Sequence, residues 1–155
     1  MAAMISLQEL QPLTEAVCPT NGRPGKAVDS LTLKAMLNRP LSEIRNTRYR
    51  FCPDPECPTV YYSEDGLQIF TEADLRERIY QKHPDEADVF VCYCFRHTVG
   101  EVWERGMAVV EEVNAGVKKG QCACDIRNPQ GSCCLGNVRA EAKKSQPPDR
   151  MPKVV

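Results

Sequence analysis

The chain has 155 residues, 26% of them charged, and a formal net charge of −1. That length suits one domain or two small ones, and the mixed charges give no electrostatic case for nucleic acid or a membrane surface. Aromatic residues are only 6% of the total and Trp103 is the one tryptophan, so a large self-sufficient core is not expected and bound metal would help a small one hold together.

The N-terminus lacks the apolar stretch of a signal peptide, and no run is long enough to span a bilayer. The expected location is therefore the cytoplasm, without membrane insertion. Thiols stay reduced there, and clustered cysteines read as metal sites.

In chain order, residues 1–17 carry Ile5, Leu7, Leu10 and Leu13, the pattern of a flexible or weakly helical lead. Ordered structure is expected from Cys18-Pro19-Thr20-Asn21-Gly22, followed by an Arg-Pro-Gly turn. Ser30 reads as the cap of a short helix through Leu37, stopped before Pro40. Arg48 to Phe51 and Thr59 to Tyr62 have strand composition, joined by the Cys52-Pro-Asp-Pro-Glu-Cys57 turn. Gly66 introduces a third strand, Leu67 to Phe70, whereas Leu75 to Gln81 fits helix and strand equally.

After a Pro84-Asp85-Glu86 turn, a Val89 to Val91 strand runs into Cys92. Thr98-Val99-Gly100-Glu101 has the form of a capping box. Val102, Val109, Val110, Val113 and Val117 recur at helical spacing, with a break at Gly106 and a stop at Gly120. A last helix is expected from Leu135 to Ser145, then a disordered Pro-rich tail over 146–155. The fold class that follows is α+β. A small zinc-ribbon-like β module over 18–91 precedes a helix-turn-helix module over 92–145 that binds a metal or cluster.

Six of the nine cysteines lie between Val91 and Val138, as Cys92-Tyr93-Cys94, Cys122-Ala123-Cys124 and Cys133-Cys134. Inert thiols scatter among apolar residues, but these pairs sit at helix edges among Gly, Asn and Pro. Metal or cluster ligation is the leading reading; buried structural thiols and disulfides are its competitors. Residues i and i+2 of an extended segment face the same side, so Cys92 and Cys94 suit one iron. A [2Fe–2S] cluster needs four thiolates, which leaves two of Cys122, Cys124, Cys133 and Cys134 spare. The chain has no Cys-x-x-Cys, which weakens thioredoxin-type and ordinary zinc-ribbon readings alike.

Cys-Tyr-Cys-Phe, a helical hairpin, Cys-x-Cys and Asn-Pro-Gln-Gly-x-Cys-Cys-Leu-Gly-Asn-Val together resemble the N-terminal module of CopZ-type copper metallochaperones. That module is similar to the [2Fe–2S] domain of bacterioferritin-associated ferredoxins. The resemblance spans residues 15 to 138 and is most distinctive from Asn128 to Val138. It implies a [2Fe–2S] cluster on this half, zinc on the other, and a role in copper handling with a copper-transport or redox partner. Such chaperones usually continue into a copper-carrying domain with a Met-x-Cys-x-x-Cys loop, a motif this sequence does not contain.

Among the return cysteines, Cys134 is preferred because Leu135 onward looks helical and a helix N-terminus stabilises a thiolate. Cys124 is preferred over Cys122 because it lies nearer the Asn-Pro-Gln-Gly turn, in keeping with the family pattern. Cys18, Cys52 and Cys57 form a second, zinc-type group. Structural zinc takes four ligands, and Asn21 stands where the family has a second cysteine. A His, a carboxylate such as Asp54, or water would complete the site; otherwise three thiols pack a small β module.

His83 is expected in solvent. His97 is expected beside the cluster as a donor to sulfur, with ligation of iron as the less favoured alternative. The Glu111-Glu112 and Lys118-Lys119 doublets read as solvated helix face, and no carboxylate pair suggests acid–base catalysis, so no enzyme is expected. Two functions stay open: a cluster-binding electron-transfer or metallochaperone module, and a zinc-stabilised interaction module without a redox role. Cu(I) storage on the cysteine pairs is a third.

Overall fold

The computed structural model describes residues 16–144; the expected lead and tail lie largely outside the described residues. Strand β1 (Lys26–Val28) leads into helix α1 (Ser30–Met36), and a 3-10 turn at Leu41–Glu43 precedes β2 (Tyr49–Phe51), β3 (Thr59–Ser63) and β4 (Ile69–Thr71). Further 3-10 turns at Glu72–Asp74 and Tyr80–Lys82 lead to β5 (Phe90–Cys92) and β6 (His97–Thr98). Helices α2 (Val99–Arg105), α3 (Met107–Lys118), α4 (Cys124–Arg127) and α5 (Leu135–Lys144) follow. Strands β1 to β4 form one antiparallel sheet in that order, and β5 and β6 pair separately. The class is α+β.

Every residue of β3 is buried, because both of its faces are covered. Tyr61 lies opposite Phe51 and joins Leu33, Met36, Leu37, Phe70 and Ile79 in one core. Tyr62 points to the other face, as the strand period of two requires, and packs on Cys18, Cys52 and Cys57. Its hydroxyl accepts from the Gly25 N–H at 2.8 Å and donates to the Ala16 carbonyl at 2.9 Å. A Cβ at Gly25 would stand 2.4 Å from the Phe51 carbonyl oxygen, so this close approach of β1 to β2 needs glycine.

A second core gathers Val89, Val91, Val99, Val102, Val109, Val110, Val113 and Val138 around Cys92 and Cys134. Each fully buried valine contributes roughly 1.5–3 kcal/mol relative to exposure, so aliphatic burial offsets the scarcity of aromatics. Thr98 caps α2, its Oγ1 accepting from Glu101 N at 3.1 Å. The Glu101 carboxylate is taken by Arg105 at 2.7 Å. Gly106 (φ 60°) separates α2 from α3, and Gly120 (φ 73°) stops α3 while Gln121 N donates to the Gly116 carbonyl.

The two cores are tied by polar contacts. The Tyr61 hydroxyl donates to the Pro129 carbonyl, and Thr32 Oγ1 donates to the Asp125 carbonyl at 2.5 Å. Tyr93 accepts from Tyr80 N at 3.0 Å and donates to the Arg78 carbonyl at 2.6 Å. Buried Glu141 receives the Tyr80 hydroxyl, Trp103 Nε1 at 2.9 Å and Lys144 Nζ at 3.2 Å.

Several local expectations shift. The residue before α1 in the cap position is Asp29, not Ser30. The third strand starts at Ile69 because Gly66 to Gln68 are spent on the turn, with Gly66 N donating to the Ser63 carbonyl and Gln68 N to Ser63 Oγ. Leu75 to Gln81 is neither helix nor strand: Leu75 bridges Leu37, Ile79 is buried, and a 3-10 turn starts at Tyr80. Among the described residues no helix is long and apolar enough to cross a membrane.

Candidate metal centres

The first centre sits between a turn and a strand end. An isolated bridge from Val17 to Pro24 closes the turn that holds Cys18, whose N–H donates to the Arg23 carbonyl at 2.8 Å. Cys52 follows β2, its N–H on the Val60 carbonyl at 2.8 Å, and Cys57 N closes the intervening turn onto the Asp54 carbonyl at 3.1 Å. The three Sγ atoms lie within 4.8 Å of one another, and Cys18 and Cys57 are 3.9 Å apart. All three are buried, and among the described residues no fourth His, Cys, Asp or Glu ligand atom joins them.

Electrostatics around this group are uneven. Burial opposes ionisation of Cys18, yet the backbone N–H groups of Asn21 and Thr20 and the neighbouring thiols outweigh it and lower its pKa. Burial raises Cys52 to about 11, against the pull of the Asp54 N–H and the Lys82 charge. Lys82 Nζ donates to the carbonyls of Asp54 and Cys57 at 2.7 and 2.8 Å, which holds an ammonium beside the thiols. A cation bound here would replace protons on soft sulfur donors, the chemistry of zinc and of other thiophilic ions.

The second centre is built by four segments. Cys92 ends β5, opposite His97 on β6, and Cys94 lies in the intervening turn, where Arg96 has φ 62°. Cys124 opens α4, and Cys134 precedes α5, its carbonyl accepting from Val138 N at 2.9 Å. The Sγ atoms of Cys94 and Cys124 are 3.7 Å apart, and Ala123 N donates to Cys94 Sγ at 3.1 Å. Cys92 and Cys134 lie in one buried core, with Cys124 packed against it.

Thus the structure brings together Cys92, Cys94, Cys124 and Cys134, with Cys92 and Cys134 buried and Cys133 exposed. Their protons are unequally held. The neighbouring Cys134 thiol lowers Cys92 to about 7 despite burial. Bonds from Cys134 and Cys94 hold Cys124 far below a normal thiol. Cys134 and Cys94 are pushed far above it, first by their bonds to Cys124 and then by burial and neighbouring charge. The adjacent Cys94 and Cys124 sulfurs share negative charge poorly unless a cationic centre replaces their protons.

The distinctive Asn128 to Val138 run is a scaffold for this group. Asn128 Nδ2 donates to the Ser132 carbonyl at 2.8 Å, and its backbone N–H donates to the Cys124 carbonyl at 3.1 Å. Gln130 Nε2 donates to the Cys133 carbonyl at 3.1 Å, while Gln130 Oε1 accepts from Asn137 Nδ2 at 2.9 Å and from Gln81 Nε2 at 2.5 Å. Gly131 has φ 76°. The motif is legible in the sequence but its roles are not, since an Asn or Gln shows its partners only once the turn is folded.

Neither histidine behaves as expected. His83 is only 21% exposed at its side chain, gripped by Glu72 at 2.7 Å and Glu86 at 2.9 Å. Its ring is drawn out of solvent by two carboxylates that sequence spacing did not bring together. His97 does lie beside Cys92, but its ring nitrogens face the Glu101 and Glu112 carboxylates at 3.0 and 3.7 Å rather than a sulfur.

Comparison with known proteins adds three findings. The zf_CopZ family model, a zinc binding domain, matches residues 15–76, which contain Cys18, Cys52 and Cys57 and end before Cys92. The copper chaperone CopZ of Archaeoglobus fulgidus is 33% identical over 122 residues, covering 76% of this chain and 57% of that protein. The chain therefore spans little more than half the length of that relative. The X-ray structure of the Archaeoglobus fulgidus CopZ N-terminal domain aligns with a TM-score of 0.60 at 27% identity, over 80% of this chain and 95% of that one. The chain carries a CopZ-like metal-binding module.

Proposed function

We propose that this protein is a [2Fe–2S] cluster-binding module of copper and metal homeostasis, an electron-transfer or metallochaperone protein rather than an enzyme. Cys92, Cys94, Cys124 and Cys134 would hold the cluster, and Cys18, Cys52 and Cys57 would hold zinc. The observation that carries the reading is the gathering of four cysteines from separate segments, with the Cys94 and Cys124 sulfurs 3.7 Å apart and Cys92 and Cys134 buried in one core against which Cys124 packs. Thiolates in that number are the donor set of a [2Fe–2S] cluster, which when bound supplies one-electron redox chemistry. The protein's own part is to orient the sulfurs through the Asn128–Gly131 turn and to shield Cys92 and Cys134 from water.

Residues 18–91 would then act as the zinc-supported β module and 92–145 as the cluster module. The working location is the cytoplasm, and the partners are metal ions and a copper-transport or redox protein. The Archaeoglobus relative is named a copper chaperone, which supports the copper context.

A zinc-stabilised interaction module is the second reading, because thiolate sites accept zinc as well as iron and the matched family model is a zinc binding domain. Electron paramagnetic resonance separates the two. Anaerobically purified protein reduced with dithionite should give the spin-one-half signal of a reduced [2Fe–2S] centre, whereas a silent sample containing only zinc would favour the second.

A further inference from the structure

We propose that metal held by Cys18, Cys52 and Cys57 keeps its fourth coordination position open, and that a small exogenous thiol occupies it. This rests on the zinc reading above and adds what completes the metal's coordination. A closed structural zinc site has four protein ligands, and a site with three keeps a position for water or an incoming ligand. Here three buried sulfurs converge, and among the described residues no fourth His, Cys, Asp or Glu atom accompanies them. His83 is held by Glu72 and Glu86, and His97 lies beside Cys92.

The two polar side chains nearest the group are already engaged. Asn21 Oδ1, its only atom suited to a metal, accepts from Arg23 N at 2.9 Å. Its Nδ2 donates to Cys52 Sγ at 3.4 Å and to Asp54 Oδ2 at 3.0 Å. Asp54 Oδ1 in turn accepts from Glu56 N at 2.9 Å, holding the Cys52–Cys57 turn. Asn21 therefore acts as a donor to a ligating sulfur, and Asp54 as the brace of the loop.

Space and charge complete the case. A cavity of 290 Å³ lies against the site, lined by Asn21, Arg23, Cys52 and Asp54 together with prolines. A water claims about 30 Å³ of liquid volume, so a thiol of a few heavy atoms fits there. Zinc on three thiolates carries one net negative charge. The Lys82 ammonium on the Asp54 and Cys57 carbonyls offsets that charge, and Arg23 lies 3.8 Å from Asp54. Soft sulfur suits this donor set better than oxygen. In the exchange a zinc–sulfur bond forms, the bound water leaves, and the thiol proton passes to solvent; nothing is oxidised or reduced.

The test is zinc-edge X-ray absorption on the full-length metal-loaded protein. Without added thiol the zinc should show three sulfur neighbours and one oxygen or nitrogen, and with millimolar 2-mercaptoethanol four sulfurs. Asn21→Cys should show four sulfurs throughout and release zinc to a chromophoric chelator roughly ten-fold or more slowly.

Four sulfurs in thiol-free wild type, or a neighbour count unmoved by 2-mercaptoethanol, would each overturn the open position while leaving the zinc site in place. Zinc content unaffected by Cys18→Ser and Cys52→Ser would overturn the zinc reading itself, and the inference with it. Should Asn21→Cys fail to fold, the wild-type spectra with and without thiol decide alone.

Discussion

The Tyr61 hydroxyl, in the buried centre of β3, donates its hydrogen to the carbonyl of Pro129, in the turn that leads to Cys134. One side chain thus fixes the loop of the second centre to the sheet beside the first. Tyr61→Phe keeps the ring but leaves a buried carbonyl unpaired, which costs about 1–3 kcal/mol. Thermal unfolding should show a midpoint lowered by several degrees, with weaker retention of visible absorbance on dilution. An unchanged midpoint would show that the turn is held by its own Asn128 and Gln130 bonds.

Gly116 lies inside α3, where alanine ordinarily gains about 1 kcal/mol over glycine. Here a Cβ would stand 2.4 Å from Phe95 Cζ and 2.9 Å from both Cε atoms. Phe95 is half-buried and packed against the second core, so turning its ring aside gives up that packing. Overpacking of this kind costs about 1–3 kcal/mol and should win. Gly116→Ala is expected to melt lower than wild type, and adding Phe95→Leu should recover most of the loss; a higher melting point for the single variant would contradict the packing.

His83 gives the protein a pH dependence of known sign. Burial disfavours its charged form, but hydrogen bonds to Glu86 and Glu72 outweigh that and raise its pKa above the ordinary value. The stabilisation is therefore fully present below the unfolded value of about 6.5 and is lost as pH rises through the folded one. In urea titrations the advantage of wild type over His83→Gln should be largest near pH 6 and shrink toward pH 9. A gap that grows with pH would reverse the assignment.

Much of this fold follows from local chemistry readable in sequence. The valine spacing, the Thr98 cap and the glycines at 106 and 120 place α2 and α3 correctly because each signal acts within a few residues. Strand β1 was not foreseen, since Lys26-Ala27-Val28 has no alternation and is a strand only through pairing with β2. The same holds for the two-residue β6, and for α4, a single helical turn.

The four sulfurs of the second centre were chosen on spacing and helix position. A partner that sets their environment, such as Ala123 N on Cys94, depends on loop closure over about thirty residues. Asn21 was legible only as a poor ligand; its bond to Cys52 joins residues 31 apart.

The most direct test of the central claim is iron, acid-labile sulfide and zinc analysis, with a visible spectrum, on anaerobically purified wild type and six Cys→Ser variants. Wild type should hold two irons and two sulfides per chain, with at most one zinc. Cys92, Cys94, Cys124 and Cys134 variants should lose the native spectrum, while Cys122→Ser and Cys133→Ser keep it. Two zincs and no iron in protein made under iron-replete anaerobic conditions would contradict the account. So would a spectrum that survives loss of Cys124 and Cys134 but not of Cys122 and Cys133.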